Sequence, residues 1–78
     1  MMSQTFCILV NDNQDVLLRV IGVIMRRVLN IESLTWGKVE EGVNKIKVTI
    51  SGDEARLSRI ALQIEKIIEV ISVNLIEE

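Results

Sequence analysis

The apolar residues of this chain switch between strand and helix spacing in an order that few folds accommodate. Short runs with alternating apolar side chains predict strands at 5–11, 31–39, 43–50 and 70–76. Apolar residues three or four apart predict helices at 15–29 and after the turn at 51–54. The order βαββαβ with right-handed crossovers places both helices on one face of a four-stranded antiparallel sheet ordered 4-1-3-2. The sequence therefore predicts one ferredoxin-like α+β domain over residues 1–78.

Two of the strand patterns predict different degrees of burial. The run at 5–11 is short and almost wholly apolar, so we expect it to be covered on both faces or nearly so, with Phe6, Ile8 and Val10 on one face. The run at 43–50 alternates apolar and polar residues, which predicts one buried and one wet face. Gly42 ends the short hairpin loop at 40–42, where it can adopt a positive φ.

The first helical pattern carries more apolar surface than a lone surface helix needs. Its main stripe comprises Leu17, Val20, Ile21, Ile24 and Val28. A second set lies largely outside that stripe: Val16, Leu18, Val23, Met25 and Leu29. We expect a second chain or another protein to cover part of this surface.

The second helical pattern has one apolar face and one polar face. Its apolar stripe comprises Leu57, Ile60, Ala61, Ile64, Ile67 and Ile68. Two starts are possible: Ser51 caps the helix with Glu54 reaching back, or Asp53 caps it directly.

The residue types exclude most catalytic and metal sites. The chain has no histidine, one cysteine and four scattered glycines, so it lacks the commonest general base, the usual zinc ligands and a phosphate loop. Cys7 lies within a strand pattern, and we interpret it as a small core or interface residue. Asp12 and Asp15 either cap the first helix or bind a cation, and capping is favoured. We predict no catalytic residues and no metal site.

Charge and hydropathy exclude further classes of partner. The net charge is −2 and Arg26-Arg27 is the only adjacent basic pair, which argues against nucleic-acid binding. Arg19, Arg26 and Arg27 are expected on a solvated face, with an acidic partner surface as the alternative. No apolar run approaches about 18 residues, so no membrane partner is expected. A single cysteine and the absence of a signal peptide predict a cytoplasmic protein.

The small size of the domain favours self-association. A domain of 78 residues is marginal alone, and we expect a homodimer or a higher even-numbered oligomer. The second strand is an edge in this topology, so two copies could pair through it into a continuous sheet. Trp36 on that strand is either a core residue or an interface anchor.

Several segments carry a resemblance to a known family. Residues 17–22 read Leu-Leu-Arg-Val-Ile-Gly and residues 30–35 read Asn-Ile-Glu-Ser-Leu-Thr. Further support comes from Gly-Asp-Glu at 52–54 and from the stretch at 63–70. Together they resemble the ACT domain of the acetolactate (acetohydroxyacid) synthase small regulatory subunit, in its short single-domain form.

The resemblance implies a regulatory role. The chain would be a non-catalytic subunit in branched-chain amino-acid biosynthesis that activates the catalytic (large) subunit and mediates feedback by valine, leucine or isoleucine. Thiamine diphosphate, Mg and FAD would belong to that catalytic partner, and this chain would have no cofactor of its own. The alternative is a free-standing ACT module that binds another small ligand or serves only for oligomerisation.

The resemblance also implies where an effector would bind. In the family, paired domains bind an amino acid between the loop after the first strand and the neighbour's helix–strand junction. The matching residues here are Asp12, Asp15, Val16 and Leu17 on the loop side, and Asn30 and Ile31 on the other. The family usually has Asn and Gly where this chain has Asp12 and Asp15. The Asp15 carboxylate would repel an effector carboxylate, which predicts weak amino-acid binding.

Overall fold

The domain has the six elements that the periodicity predicts, in the same order. The computed structural model describes residues 2–13 and 15–76. The elements are β1 (Met2–Asn11), α1 (Val16–Arg26), β2 (Asn30–Glu40), β3 (Val43–Gly52), α2 (Glu54–Glu65) and β4 (Val70–Ile76). The strands form one antiparallel sheet in the order β2-β3-β1-β4. The ferredoxin-like fold and the predicted strand order are confirmed, and β2 and β4 are the two edges.

The core lies between the central strands and the two helices. Phe6 pairs with Val48 and Ile8 with Ile46 across β1 and β3, so their side chains point to the same face of the sheet. The buried apolar residues are Phe6, Ile8, Val10, Val16, Val20, Ile24, Leu29, Ile46, Val48, Ile50, Leu57, Ile60 and Ile64. Burying each such side chain contributes about 1.5–3 kcal/mol, so this aliphatic cluster supplies the main stabilising term.

The opposite face of the sheet is not covered within the chain. Cys7 and Leu9 on β1 are half-buried there, and Lys45 and Lys47 on β3 are exposed. The prediction of one buried and one wet face for β3 is confirmed. The expectation that β1 is covered on both faces is wrong for the single chain, because both helices pack on the other side.

The first helix ends three residues earlier than its apolar pattern predicted. Arg27 and Val28 donate their N–H groups to the Ile24 and Met25 carbonyls, and Val28 has a φ of 57°. This left-handed residue turns the chain, so Val28 is 71% exposed while Leu29 is buried. The prediction that Val28 belongs to the buried stripe, with Val16 and Leu29 outside it, is therefore wrong.

A close backbone approach fixes Leu29 in the core. Gly52, at the end of β3, has a φ of 155°, and a Cβ there would lie 2.5 Å from Leu29 Cδ2. Another residue would be strained at this φ and would also force the Leu29 side chain to move. The end of α1 and the end of β3 are thus held together by a steric fit. In the β2–β3 hairpin, Gly42 has the predicted positive φ, at 80°.

The second helix begins without either predicted side-chain cap. Ser51 is buried, and its Oγ donates a hydrogen bond to Glu32 Oε2 at 2.9 Å instead of capping. Asp53 occupies the N-cap position, but its side chain makes no capping hydrogen bond. The helix stops at Glu65, which leaves Ile68 in the following turn, 92% exposed. Placing Ile68 on the buried stripe was therefore wrong.

Candidate functional site

The loop between β1 and α1 is tied to three other parts of the domain. The Asn11 N–H donates to the Glu69 carbonyl at 2.8 Å, and the Asp12 N–H donates to the Gly42 carbonyl at 2.9 Å. The Asn44 Nδ2 donates to Asp12 Oδ1 at 3.0 Å. Asn44 is only 4% exposed, so this amide is a buried polar group satisfied by the loop. Asn11 and Asp12 are therefore held in place before any ligand binds.

Asn13 accepts hydrogen bonds from two backbone amides at the start of α1. Its Oδ1 accepts a hydrogen bond from the Asp15 N–H at 2.9 Å, and its carbonyl accepts one from the Val16 N–H at 3.2 Å. A helix N-terminus offers such N–H groups to an anion. Here two of them already have an acceptor, so an incoming carboxylate must displace Asn13 to bind them.

Neither aspartate of the loop caps α1 with its side chain. Asp15 occupies the N-cap position without a side-chain capping hydrogen bond, and Asp12 bonds to Asn44 instead. The capping interpretation is therefore wrong, because Asn13 supplies the side-chain oxygen. Within residues 2–13 and 15–76, no group of three or more carboxylate or cysteine side chains could hold a metal ion.

An ion pair joins the first turns of α1 to the residue before β4. Arg19 Nη1 donates to Glu69 Oε2, and this hydrogen bond is the main reason that the Glu69 pKa lies below its usual value of 4.5. The other oxygen, Oε1, is buried without a hydrogen-bond partner among the described residues. The Arg19 side chain is still 52% exposed, so the predicted solvated face is confirmed, and the ion pair is an addition that the sequence did not predict. The sequence carries no local signal for this pair, since its partners are fifty residues apart.

A single chain does not bring the predicted effector residues together. Asp12 contacts Asn44 at one end of β3, whereas Asn30 pairs with Ser51 at the other end. Those two positions are seven residues apart along β3, which corresponds to about 23 Å. Val16 is fully buried, so its side chain faces the core and only its backbone faces the loop.

The β2 edge and the outer face of α1 carry unpartnered apolar side chains. Trp36 lies opposite Ile46 on the helix-covered face and remains 37% exposed. On α1, Leu18 and Met25 are mostly exposed. Trp36 is therefore not part of the buried core, and its role as an interface anchor stays a prediction. Among the described residues, no helix is long and apolar enough to cross a membrane.

Comparison with known proteins identifies related sequences over nearly the whole chain. The model of the family described as the AHAS small subunit-like ACT domain matches residues 6–72. A probable acetolactate synthase small subunit of Archaeoglobus fulgidus is 37% identical over 78 residues, covering 99% of this chain and 49% of the relative. The acetolactate synthase small subunit of Mycobacterium leprae is 36% identical over 72 residues, 91% of this chain and 43% of the relative.

Solved structures share the fold. The acetolactate synthase small subunit from Thermotoga maritima matches with a TM-score of 0.86 and 27% identity, covering 99% of this chain and 48% of that one. The ACT domain from the GTP pyrophosphokinase of Chlorobium tepidum matches with a TM-score of 0.80 at 17% identity, covering 96% and 97%, which shows likeness of fold alone. The chain spans about half the length of the curated relatives described above.

Proposed function

We propose that this chain is a non-catalytic regulatory subunit of acetolactate synthase. The chain belongs to the family of AHAS small subunit-like ACT domains. It would dock on the catalytic subunit in the cytoplasm and raise its activity. Thiamine diphosphate, Mg and FAD would stay with that partner. The observation that carries the proposal is the match of the family over residues 6–72, which includes both halves of the predicted effector site.

The regulatory unit would be a pair of chains joined through their β2 edges. Antiparallel pairing of two β2 strands about a two-fold axis places the Asn30 end of one strand beside the Glu40 end of the other. Glu40 leads directly into the hairpin whose Gly42 carbonyl binds the Asp12 N–H. The pairing would therefore bring Asp12 and the start of α1 of one chain towards Asn30 and Ile31 of its partner. The exposed Trp36, Leu18 and Met25 give this pair an apolar contact surface.

An amino-acid effector would bind weakly at this junction. Its carboxylate would meet the negative Asp15 side chain, and the Asp15 and Val16 amides are already bonded to Asn13. The proposal is therefore activation with weak feedback by valine, leucine or isoleucine. The variants Asp15→Gly and Asn13→Ala each remove one obstacle, and we expect both to tighten binding of a branched-chain amino acid measured by calorimetry.

The proposal is tested by adding the purified chain to the catalytic subunit and measuring acetolactate formation. We expect a saturable rise in rate that is lost with Trp36→Glu, which places a charge on the β2 edge. The matched control is Ile68→Glu, because Ile68 is exposed and lies near the opposite edge. An unchanged rate would reject the regulatory-subunit role.

The second candidate is a free-standing oligomerisation module, and the exposed β2 edge and α1 face favour it as much as the first. It predicts the same dimer, disrupted by the same Trp36→Glu variant, with no effect on the catalytic subunit. The mass of the parent chain in solution and the activity assay together separate the two functions. A dimer that raises the rate of the catalytic subunit supports the regulatory subunit, and a dimer that leaves the rate unchanged supports the oligomerisation module.

A further inference from the structure

Three arginine side chains converge on one groove in the helix layer. Arg27, just after α1, and Arg56 and Arg59, on α2, line a space of about 270 Å³ together with Gln63. The Arg27 Nη2 donates a hydrogen bond to Gln63 Oε1 at 2.7 Å. This contact crosses from one helix to the other and orients the guanidinium at the groove. None of the four residues belongs to the predicted effector site.

Among the described residues, no carboxylate forms an ion pair with the arginines of this groove. The ion pairs within residues 2–13 and 15–76 are Arg19–Glu69 and Lys38–Glu41, so none of the three groove arginines is paired there. Arg56 and Arg59 are three apart on one helix, a spacing at which like charges repel. Arg56 also lies in the first turn of α2, where the helix dipole disfavours a cation. The groove is therefore locally positive in a chain whose net charge is −2.

The chemistry of the lining specifies the kind of ligand. Guanidinium groups only donate hydrogen bonds, and the Gln63 carbonyl oxygen is already bonded to Arg27, which leaves its amide N–H groups as donors. Arginine forks match the paired oxygens of phosphates and carboxylates. We propose that the groove binds a small oxyanion with at least two negative charges, of the phosphate or polycarboxylate class.

The test uses pyrophosphate and citrate as probes on the full chain, with thermal unfolding and calorimetry at constant ionic strength. A ligand that binds only the folded state raises the unfolding midpoint, and we expect about 5 °C at saturating probe. Acetate serves as the monovalent control and should give no saturable shift. A shift with one probe alone identifies which class the groove prefers.

A matched pair of double variants locates the site. R56Q/R59Q removes two exposed charges from the groove, and K45Q/K47Q removes two from the exposed face of the sheet. We expect the first to weaken probe binding at least tenfold and the second to leave it unchanged. The ligand-free midpoint of R56Q/R59Q should equal or exceed that of the parent, which establishes that this variant folds.

Three results would overturn the proposal. The first is that neither probe binds saturably. The second is that both double variants weaken binding equally, which would indicate general attraction to positive charge. The third is that a poly-glutamate peptide binds the groove while both small probes fail, which would assign the groove to an acidic protein surface.

Discussion

The two ends of α1 are held by different physical means. At its start, polar groups fix the chain: Asn13 bonds the first amides, and the preceding loop is tied by Asn44. At its end, shape fixes the chain: Val28 turns it, and Leu29 packs against the Cα of Gly52. A polar anchor can exchange its partners for a ligand, whereas a steric lock cannot. The difference predicts that a ligand bound near both ends would rearrange the polar contacts at the start of α1 and leave the packing at its end unchanged.

The largest effect on stability should come from a substitution at Gly52, where the end of α1 packs against β3. Gly52→Ala combines a positive φ with an overlap on Leu29, and we expect it to lower the free energy of unfolding by about 2–4 kcal/mol. Urea denaturation measures this loss. Gly37→Ala is the control, because a Cβ there meets nothing within 4 Å. Equal stability of the two variants would show that the packing of Leu29 against Gly52 contributes nothing to the free energy of unfolding.

A substitution in the polar contacts at the start of α1 should cause a smaller loss of stability. Asn44→Ala removes the amide that holds Asp12, and we expect a loss of about 1–2 kcal/mol. Hydrogen exchange at the Asp12 amide should also speed up, since its bond to the Gly42 carbonyl depends on the same loop. If exchange there is unchanged, Asn44 does not anchor the loop.

The turn after α1 offers a gain in stability. Val28 is exposed and β-branched, yet it adopts a left-handed conformation that glycine takes without strain. We expect Val28→Gly to raise the free energy of unfolding by about 1 kcal/mol, measured by urea denaturation. A loss of stability would mean that the Val28 side chain makes a contact outside the single chain.

The smallest effect should be the pH dependence that Glu69 contributes. Its pKa is lowered in the folded state, so its stabilising contribution is complete above about pH 4.5 and is lost as the pH falls through the folded pKa. Glu69→Gln should therefore unfold at a lower temperature than the parent at pH 7, and the gap should narrow below pH 4.5. Glu41→Gln, at the more exposed Lys38–Glu41 ion pair, is the matched control.

Periodicity predicted the element order and most of the core residues, because these follow from alternating and helical spacing alone. Residues 17–22 and 30–35 also carried the family resemblance that the comparisons then supported. The predictions that the structure contradicts depend on contacts between segments that are distant in the sequence. Ser51 on β3 donates a hydrogen bond to Glu32 on the neighbouring strand β2 instead of capping α2. The end of α1 depends on the packing of Leu29 against Gly52. Neither contact leaves a mark in the local sequence.

The most direct measurement of the central claim is cross-linking between two marked chains. One chain carries Asp12→Cys and the other Asn30→Cys, both with Cys7→Ser, and they are mixed with a short bis-maleimide. Pairing through β2 predicts an efficient link between different chains. A doubly substituted chain diluted to a monomer should show no internal link, because about 23 Å separates the two ends. Failure of the mixed chains to link, while the dimer persists in solution, would contradict a site shared between two copies.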